Sequence, residues 1–293
     1  MPASALVLVV LAGLIHASWN IAAKKAGGDA RFVAFSGLVT MLSWAPLGLS
    51  LGLQAVPHWG RAEWSLIVAS AALHTIYYIT LLRGYRKADL TVVYPLARGS
   101  GPLLSSLAAI VLLGEHLSAL GLLGIGGVVA GVLLIAGGPG LWQASRDPAS
   151  ALRVRKGMVY GLLTGAFIAS YTVVDGYAVK FVLISPILLD YVSNAVRVVF
   201  LAPVVLRDRP TARALWRGQW KYAVLVGVLS PASYILVLYA MREAPLSHVA
   251  PAREVSMLFA ALMGGHLLGE GGRMLRLLGA ACIAAGVMAL ALG

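Results

Sequence analysis

The chain has 293 residues, of which 60% are hydrophobic and only 12% charged, and its mean hydropathy is +0.86. A soluble domain carries about 25% charged residues, so this composition indicates an integral membrane protein. The net charge of +12 lies in short loops between long apolar runs, which excludes a nucleic-acid binder. The single cysteine, Cys282, excludes an internal disulfide, and the sequence has no phosphate-binding loop or metal-ligand motif, so we expect no cofactor.

Long apolar runs fill the chain. Residues 1–15 carry no charged side chain, and the run that they begin is longer than the core of a signal peptide, so we predict a retained first helix. A helix needs about 20 apolar residues to cross the bilayer core, and unbroken runs exclude a β-barrel. We predict ten membrane-spanning helices, at 3–23, 31–53, 62–85, 91–113, 117–136, 157–179, 185–206, 219–240, 246–268 and 274–292.

The charges in the loops predict the orientation of these spans. One alternating set of loops carries 17 of the 23 lysines and arginines, while the opposite set, including both termini, carries three. Loops rich in lysine and arginine stay in the cytoplasm. We therefore expect an inner (plasma) membrane protein with both termini on the outer side.

The two halves of the chain resemble each other. The segment "PLARGSGPLLSSLAAIVLLGE" places Glu115 17 residues after Arg98, and "PAREVSMLFAALMGGHLLGE" places Glu270 17 residues after Arg253. In the first helix of each half, "GLIHASWN" aligns with "GAFIASYT". These matches predict an internal repeat.

Each half has five predicted spans, an odd number, so the halves would run through the membrane in opposite directions. We predict an all-α fold of two inverted five-helix repeats around a central cavity, a plan that many transporters share. The first repeat would cover residues 1–145 and the second 157–293, with a linker at 146–156. Glycines such as Gly124 and Gly131 predict close helix packing, within the chain or between two chains.

The sequence resembles the drug/metabolite transporter superfamily, EamA type. The resemblance rests on five plus five helices, in which a fourth helix with proline and arginine runs into Gly-Glu and a glycine-rich fifth helix. It covers essentially the whole chain. It implies a transporter rather than an enzyme, which exports small metabolites, often amino acids, through a central cavity, and it does not identify the substrate.

Polar and aromatic residues share one face on several predicted helices. His16, Trp19 and Asn20 follow the helical spacing i, i+3, i+4. Polar groups inside a membrane usually face the helix bundle or a water-filled cavity. We therefore predict a substrate cavity, and its lining residues would be His16, Trp19, Asn20, His74, Tyr78, Tyr94, Tyr171, Asn194, Arg197 and Tyr234.

These residues also have structural interpretations. Trp19 would suit an interfacial aromatic belt, and His16 a hydrogen bond to a neighbouring helix. Arg197 lies about twelve residues into its span, where a charge costs about 2.5–3.5 kcal/mol. It would either meet a substrate carboxylate or pair with Asp190 or Asn194.

Arg98 and Arg253 occupy equivalent positions near the starts of their predicted helices. One interpretation is structural, in which these side chains reach the membrane interface by snorkelling. Proline residues precede both, and proline allows a helix to bend. We predict that Pro95, Arg98, Pro251 and Arg253 form gates on opposite membrane faces.

Two further acidic residues, Asp175 and Glu270, lie near the ends of predicted helices. We expect both to be solvated.

The leading hypothesis is a transporter that exports small polar metabolites, foremost amino acids, by alternating access. A translocase for lipids or lipid-linked sugars is the alternative. An intramembrane enzyme is disfavoured, because the spans lack Gly-x-Ser-x-Gly, His-Glu-x-x-His and paired acidic motifs. We expect a small-molecule substrate and membrane lipid as partners, no nucleic acid, and a monomer or homodimer. Proton antiport and facilitated diffusion both fit.

Overall fold

A computed structural model describes residues 1–88, 90–135, 148–260 and 273–293. These residues form helices and contain no strand. The helices are α1 (Ala3–Ala26), α2 (Ala30–Ser43), α3 (Ala45–Ala55), α4 (Arg61–Lys87), α5 (Leu90–Leu113), α6 (Ala119–Ile135), α7 (Pro148–Lys180), α8 (Pro186–Arg207), α9 (Arg209–Glu243), α10 (Leu246–Ala252) and α11 (Arg273–Leu292). Glu270 lies outside the described residues.

Many of these helices are suited to cross a membrane. Among the described residues, α1, α4, α5, α7, α8 and α9 contain stretches that are long and apolar enough for a span. Residues 30–58 would make a seventh span, and α6 and the stretch Leu277–Leu292 of α11 are apolar but shorter. The protein is therefore a multi-pass helical membrane protein, while the ten spans and the inverted halves stay predictions.

The second predicted span, 31–53, is broken rather than continuous. Helix α2 ends at Ser43 and α3 starts at Ala45, and the two segments bend by 73°. Pro46 stands in the first turn of α3. Proline lacks the backbone N–H and its ring clashes with the carbonyl four residues earlier, which favours a break in the helix at this position.

The ninth predicted span, 246–268, is also interrupted. Helix α10 has only seven residues and ends at Ala252, and a turn at Arg253 and Glu254 precedes a further helical segment, 255–260. Residues 261–268 lie outside the described residues. The corresponding helix of the first half, α5, continues through the positions of Pro95 and Arg98.

Pro251 explains why helix α10 ends at Ala252. Because proline has no N–H, the carbonyl of Ser247 loses the helical hydrogen bond it would otherwise accept. The Ser106 hydroxyl of α5 donates to that carbonyl instead, at 3.0 Å. The break is thus satisfied by a side chain from the other half of the chain.

The closest packing joins helices from different halves. Helix α6 lies against α11, α5 against α7, and α1 against α9. Helix α7 starts at Pro148, so the predicted linker, 146–156, is helical from residue 148 onwards. Buried apolar residues of both halves, such as Val128 and Ile283, belong to one cluster. The halves therefore share a hydrophobic core.

Glycines bring the backbones of α6 and α11 into contact. A Cβ atom on Gly131 would lie 2.5 Å from the Gly279 carbonyl oxygen, and one on Gly124 would lie 2.8 Å from the Gly286 oxygen. Only glycine allows so close an approach. The predicted small-residue packing therefore occurs within one chain.

Glu115 holds the start of α10 in place. Its carboxylate, in the loop between α5 and α6, accepts the N–H groups of Leu246 and Ser247 at 2.8 Å each, and Lys180 lies 3.4 Å away. Burial alone would raise the pKa of Glu115, but these N–H groups and the ammonium outweigh it and hold the pKa below its usual range. The carboxylate is thus ionised at neutral pH and fastens the first half to the interrupted helix of the second.

The glycine contact makes a first prediction. Gly131→Ala should lower the melting temperature of the purified protein, because the new methyl group overlaps the α11 backbone, and overpacking typically costs about 1–3 kcal/mol. Gly126→Ala is the matched control, since a Cβ there meets nothing within 4 Å, and it should leave the melting temperature unchanged or raise it. Equal effects of the two substitutions would contradict the α6–α11 contact.

Candidate functional site

A small polar cavity lies where α4 of the first half meets α7, α8 and α9 of the second. Its volume is about 10 Å³, which is room for about one water molecule. Both acidic and basic side chains face it. Its polar lining residues are Ser70, His74, Asp175, Asp190, Ser193, Asn194, Arg197 and Tyr234.

Asp175 is the most deeply buried charged group of this cavity. Its side chain has no exposed surface. The Tyr234 hydroxyl donates to Oδ2, and His74 Nε2 lies 4.0 Å from the same oxygen. Oδ1 has no hydrogen-bond partner among the described residues.

The expectation that Asp175 is solvated is wrong. Helix α7 packs against α4 and α5 along its length, so a residue near its end still lies inside the bundle. The sequence contained a usable signal, because Tyr171 and Asp175 stand at i and i+4 and therefore share one helical face. Ser70 and His74 also stand at i and i+4 and share one face of α4, and this spacing was missed as well.

His74 has a defined orientation. Its Nδ1 lies 2.9 Å from the backbone carbonyl oxygen of Ser70, and its ring stacks on Tyr171 with centroids 4.0 Å apart. Tyr234 meets the ring edge-on at 5.6 Å. A carbonyl oxygen only accepts hydrogen bonds, so Nδ1 carries the hydrogen and Nε2 points toward Asp175.

Arg197 reaches the cavity from α8. Its guanidinium donates to the Asn194 side-chain oxygen and lies 5.8 Å from the centre of the Tyr78 ring. Asn194 in turn donates to the Gly37 carbonyl at 2.9 Å. The Asn194 contact is one of the two structural partners expected from sequence. No carboxylate of the described residues lies within 4 Å of Arg197, so its charge has no ion-pair partner there.

The predicted α1 face lies elsewhere. Trp19 donates to the Ser233 hydroxyl on α9 at 3.1 Å, and Asn20 donates to the backbone carbonyl of His16 at 2.8 Å. The rings of His16 and Trp19 touch edge-on. None of these three α1 residues is among the described residues that line the cavity.

The ten predicted cavity residues therefore divide into two groups. His74, Asn194, Arg197 and Tyr234 line the cavity, and Tyr78 and Tyr171 lie against its lining residues. The other four are the α1 residues and Tyr94, which donates to the Met257 sulfur at 3.3 Å.

The predicted gate residues meet at the break after α10. Arg98 lies 2.8 Å from the Glu254 carboxylate and donates to the Ser256 hydroxyl at 2.9 Å. The side chains of Arg98 and Glu254 are only 13% and 1% exposed. Arg253 is buried, and its Nε has no hydrogen-bond partner among the described residues.

This arrangement differs from the expectation of two gates on opposite faces. Arg98 forms an ion pair with Glu254, the residue that follows Arg253, so the two predicted gate elements come together. Glu254 was not predicted as a gate residue, because its partner, Arg98, lies 156 residues away in the first half of the chain. Pro251 lies in α10, just before the break, and the backbone at Pro95 is helical.

These features define a multi-pass membrane protein with an enclosed polar site between two related halves. The chain belongs to the EamA-like transporter family, whose model matches residues 3–137 and again residues 155–292. It is therefore a membrane transporter of the drug/metabolite superfamily, and the resemblance seen in the sequence is confirmed.

Solved structures support the fold. One crystal structure, described as "Crystal structure of protein", has a TM-score of 0.76 and 15% identity, and covers 100% of this chain and 98% of that chain. At this identity the likeness concerns the fold alone. No curated protein matches the chain.

The buried ion pair makes a second prediction. Arg98→Ala and Glu254→Ala should each destabilise the protein strongly, because each leaves an unpaired buried charge, at a cost of about 3–5 kcal/mol. The double variant should lose less stability than the sum of the single losses, as measured by thermal unfolding in detergent. Additive losses would contradict direct pairing.

Proposed function

We propose that the protein exports small polar metabolites, foremost amino acids, across the inner membrane by alternating access between its two repeats. Family membership supports a transporter. The observation that carries the finer proposal is the cavity itself, since helices of both halves enclose it and both acidic and basic side chains face it.

An amino acid carries groups that match this lining. Arg197 has no ion pair among the described residues, and a guanidinium binds a carboxylate through charge-assisted hydrogen bonds. Asp175 and Asp190 would receive the ammonium group. The rings of Tyr171 and His74 would cover an apolar side chain.

The size of the cavity supports a closed conformation. A space of about 10 Å³ holds about one water molecule, which is too little for an amino acid. Substrate entry therefore needs the two halves to separate at this site. The break after α10 and the bend between α2 and α3 are the places in the described chain where helices have already lost their continuity.

Counterflow in proteoliposomes tests this function. Vesicles loaded with one amino acid of a panel should take up the labelled form of the same compound. Arg197→Ala should weaken the apparent affinity about 10- to 100-fold, the loss expected for hydrogen bonds to a charged group. Arg207→Ala removes an arginine from the end of the same helix, α8, and should leave exchange unchanged.

The outcomes separate the possibilities. Exchange that Arg197→Ala and Arg207→Ala affect equally would keep the transporter and reject this binding site. No exchange of any amino acid by protein of verified fold would reject amino acids as substrates.

A second candidate, lipid translocation, has one observation in its favour. An apolar cavity of about 380 Å³ lies between α5 and α6, with lining residues such as Leu103, Leu107, Leu122 and Leu133. Such a space would suit an acyl chain. Movement of a fluorescent lipid between leaflets, without amino-acid exchange, would favour this function.

A further inference from the structure

We propose that His74 and Asp175 form a proton-binding site that holds one exchangeable proton, and that the ammonium group of the substrate displaces this proton. The second part rests on the proposed function, whereas the first part stands on the geometry of the pair alone. The ligand of the site is a proton. If substrate and proton compete for this site, each substrate molecule is exchanged for one proton.

The hydrogen-bond pattern of His74 leads to this inference. Since Nδ1 donates to the Ser70 carbonyl, Nε2 of the neutral ring is a hydrogen-bond acceptor. This lone pair faces Oδ2 of Asp175 at 4.0 Å. Two acceptors facing each other repel, so a proton between the two groups relieves the contact, whether it resides on Asp175 or on His74.

The surroundings of Asp175 point the same way. The carboxyl is fully buried, receives one hydrogen bond from Tyr234, and has a second oxygen without a hydrogen-bond partner among the described residues. No lysine or arginine of the described chain lies within 4 Å of it. A buried carboxylate without an ion pair is costly, so a proton or another cation close by would stabilise this carboxyl.

Other charged and titratable groups face the pair from each neighbouring helix. Arg197 and Asp190, both on α8, line the same cavity and carry opposite charges. The remaining groups are phenols and arginines on α7, α9, α5 and after α10, namely Tyr171, Tyr234, Arg98 and Arg253. Glu254 neutralises Arg98, so Arg98 adds little net charge.

Competition for one carboxyl links the proton to transport. The cavity has room for about one water molecule, and Asp175 cannot hold a proton and a substrate ammonium group at once. When the ammonium group binds, the proton passes to the water on the side to which the cavity is open. The site takes up a proton again after the substrate leaves on the other side.

Infrared spectroscopy of the purified protein tests the proton site without any substrate. The wild type should show the C=O band of a buried protonated carboxyl, and this band should change across a pH titration. Asp175→Asn should lose the band. Asp190→Asn removes another carboxyl from the same cavity and should retain it. An Asp175→Asn spectrum with the band intact would overturn the proposal.

Proteoliposomes test the coupling. Vesicles that are acidic inside should accumulate a labelled amino acid from the panel against its gradient, and an added protonophore should abolish the accumulation. Counterflow without accumulation in the wild type would overturn the coupling and leave the transporter function standing. If no amino acid exchanges at all, the proposed function fails, and the infrared result alone decides whether the proton site exists.

His74→Gln provides a second variant. Glutamine preserves a polar side chain but removes the titratable ring, so the Asp175 band should persist with a different pH dependence. An identical titration in His74→Gln and the wild type would reject the sharing of the proton between the two residues.

Discussion

The central constraint on this protein is the burial of charge inside an apolar helix bundle. A charge at the centre of a membrane helix costs several kcal/mol, so Asp175, Arg197, Arg98 and Glu254 each need a compensating group. Arg98 and Glu254 compensate each other across the two halves. Asp175 and Arg197 instead face one small cavity without ion pairs among the described residues, and this difference separates a structural link from a candidate binding site.

The packing of the halves places that cavity. Helices α6 and α11 approach each other so closely through glycines that their backbones are in contact, while α10 ends after seven residues and is held by groups from the first half. Tightly packed and interrupted helices therefore lie side by side. The cavity itself is lined by α4, α7, α8 and α9, so its opening does not require α6 and α11 to separate.

Much of the fold could be predicted from the sequence, because apolar length and repeated motifs are local properties. The repeat was visible in the paired Arg and Glu residues, and the family model matches both halves. The bend at Pro46 was missed because hydropathy carries no information on helix continuity. In the site, Arg197 was found from its depth in a predicted span, whereas Asp175 and Glu254 were missed because their partners are 59 and 156 residues away in sequence.

The central claim is that the cavity between the halves opens to water and admits substrate. Ser70 lines the cavity and is 1% exposed, so Ser70→Cys, in a Cys282→Ala background, reports directly on opening. The account predicts slow modification by a small water-soluble thiol reagent from each side of the membrane, and a changed rate when a transported amino acid is present. The account would be contradicted if the variant transports substrate but its cysteine reacts from neither side of the membrane.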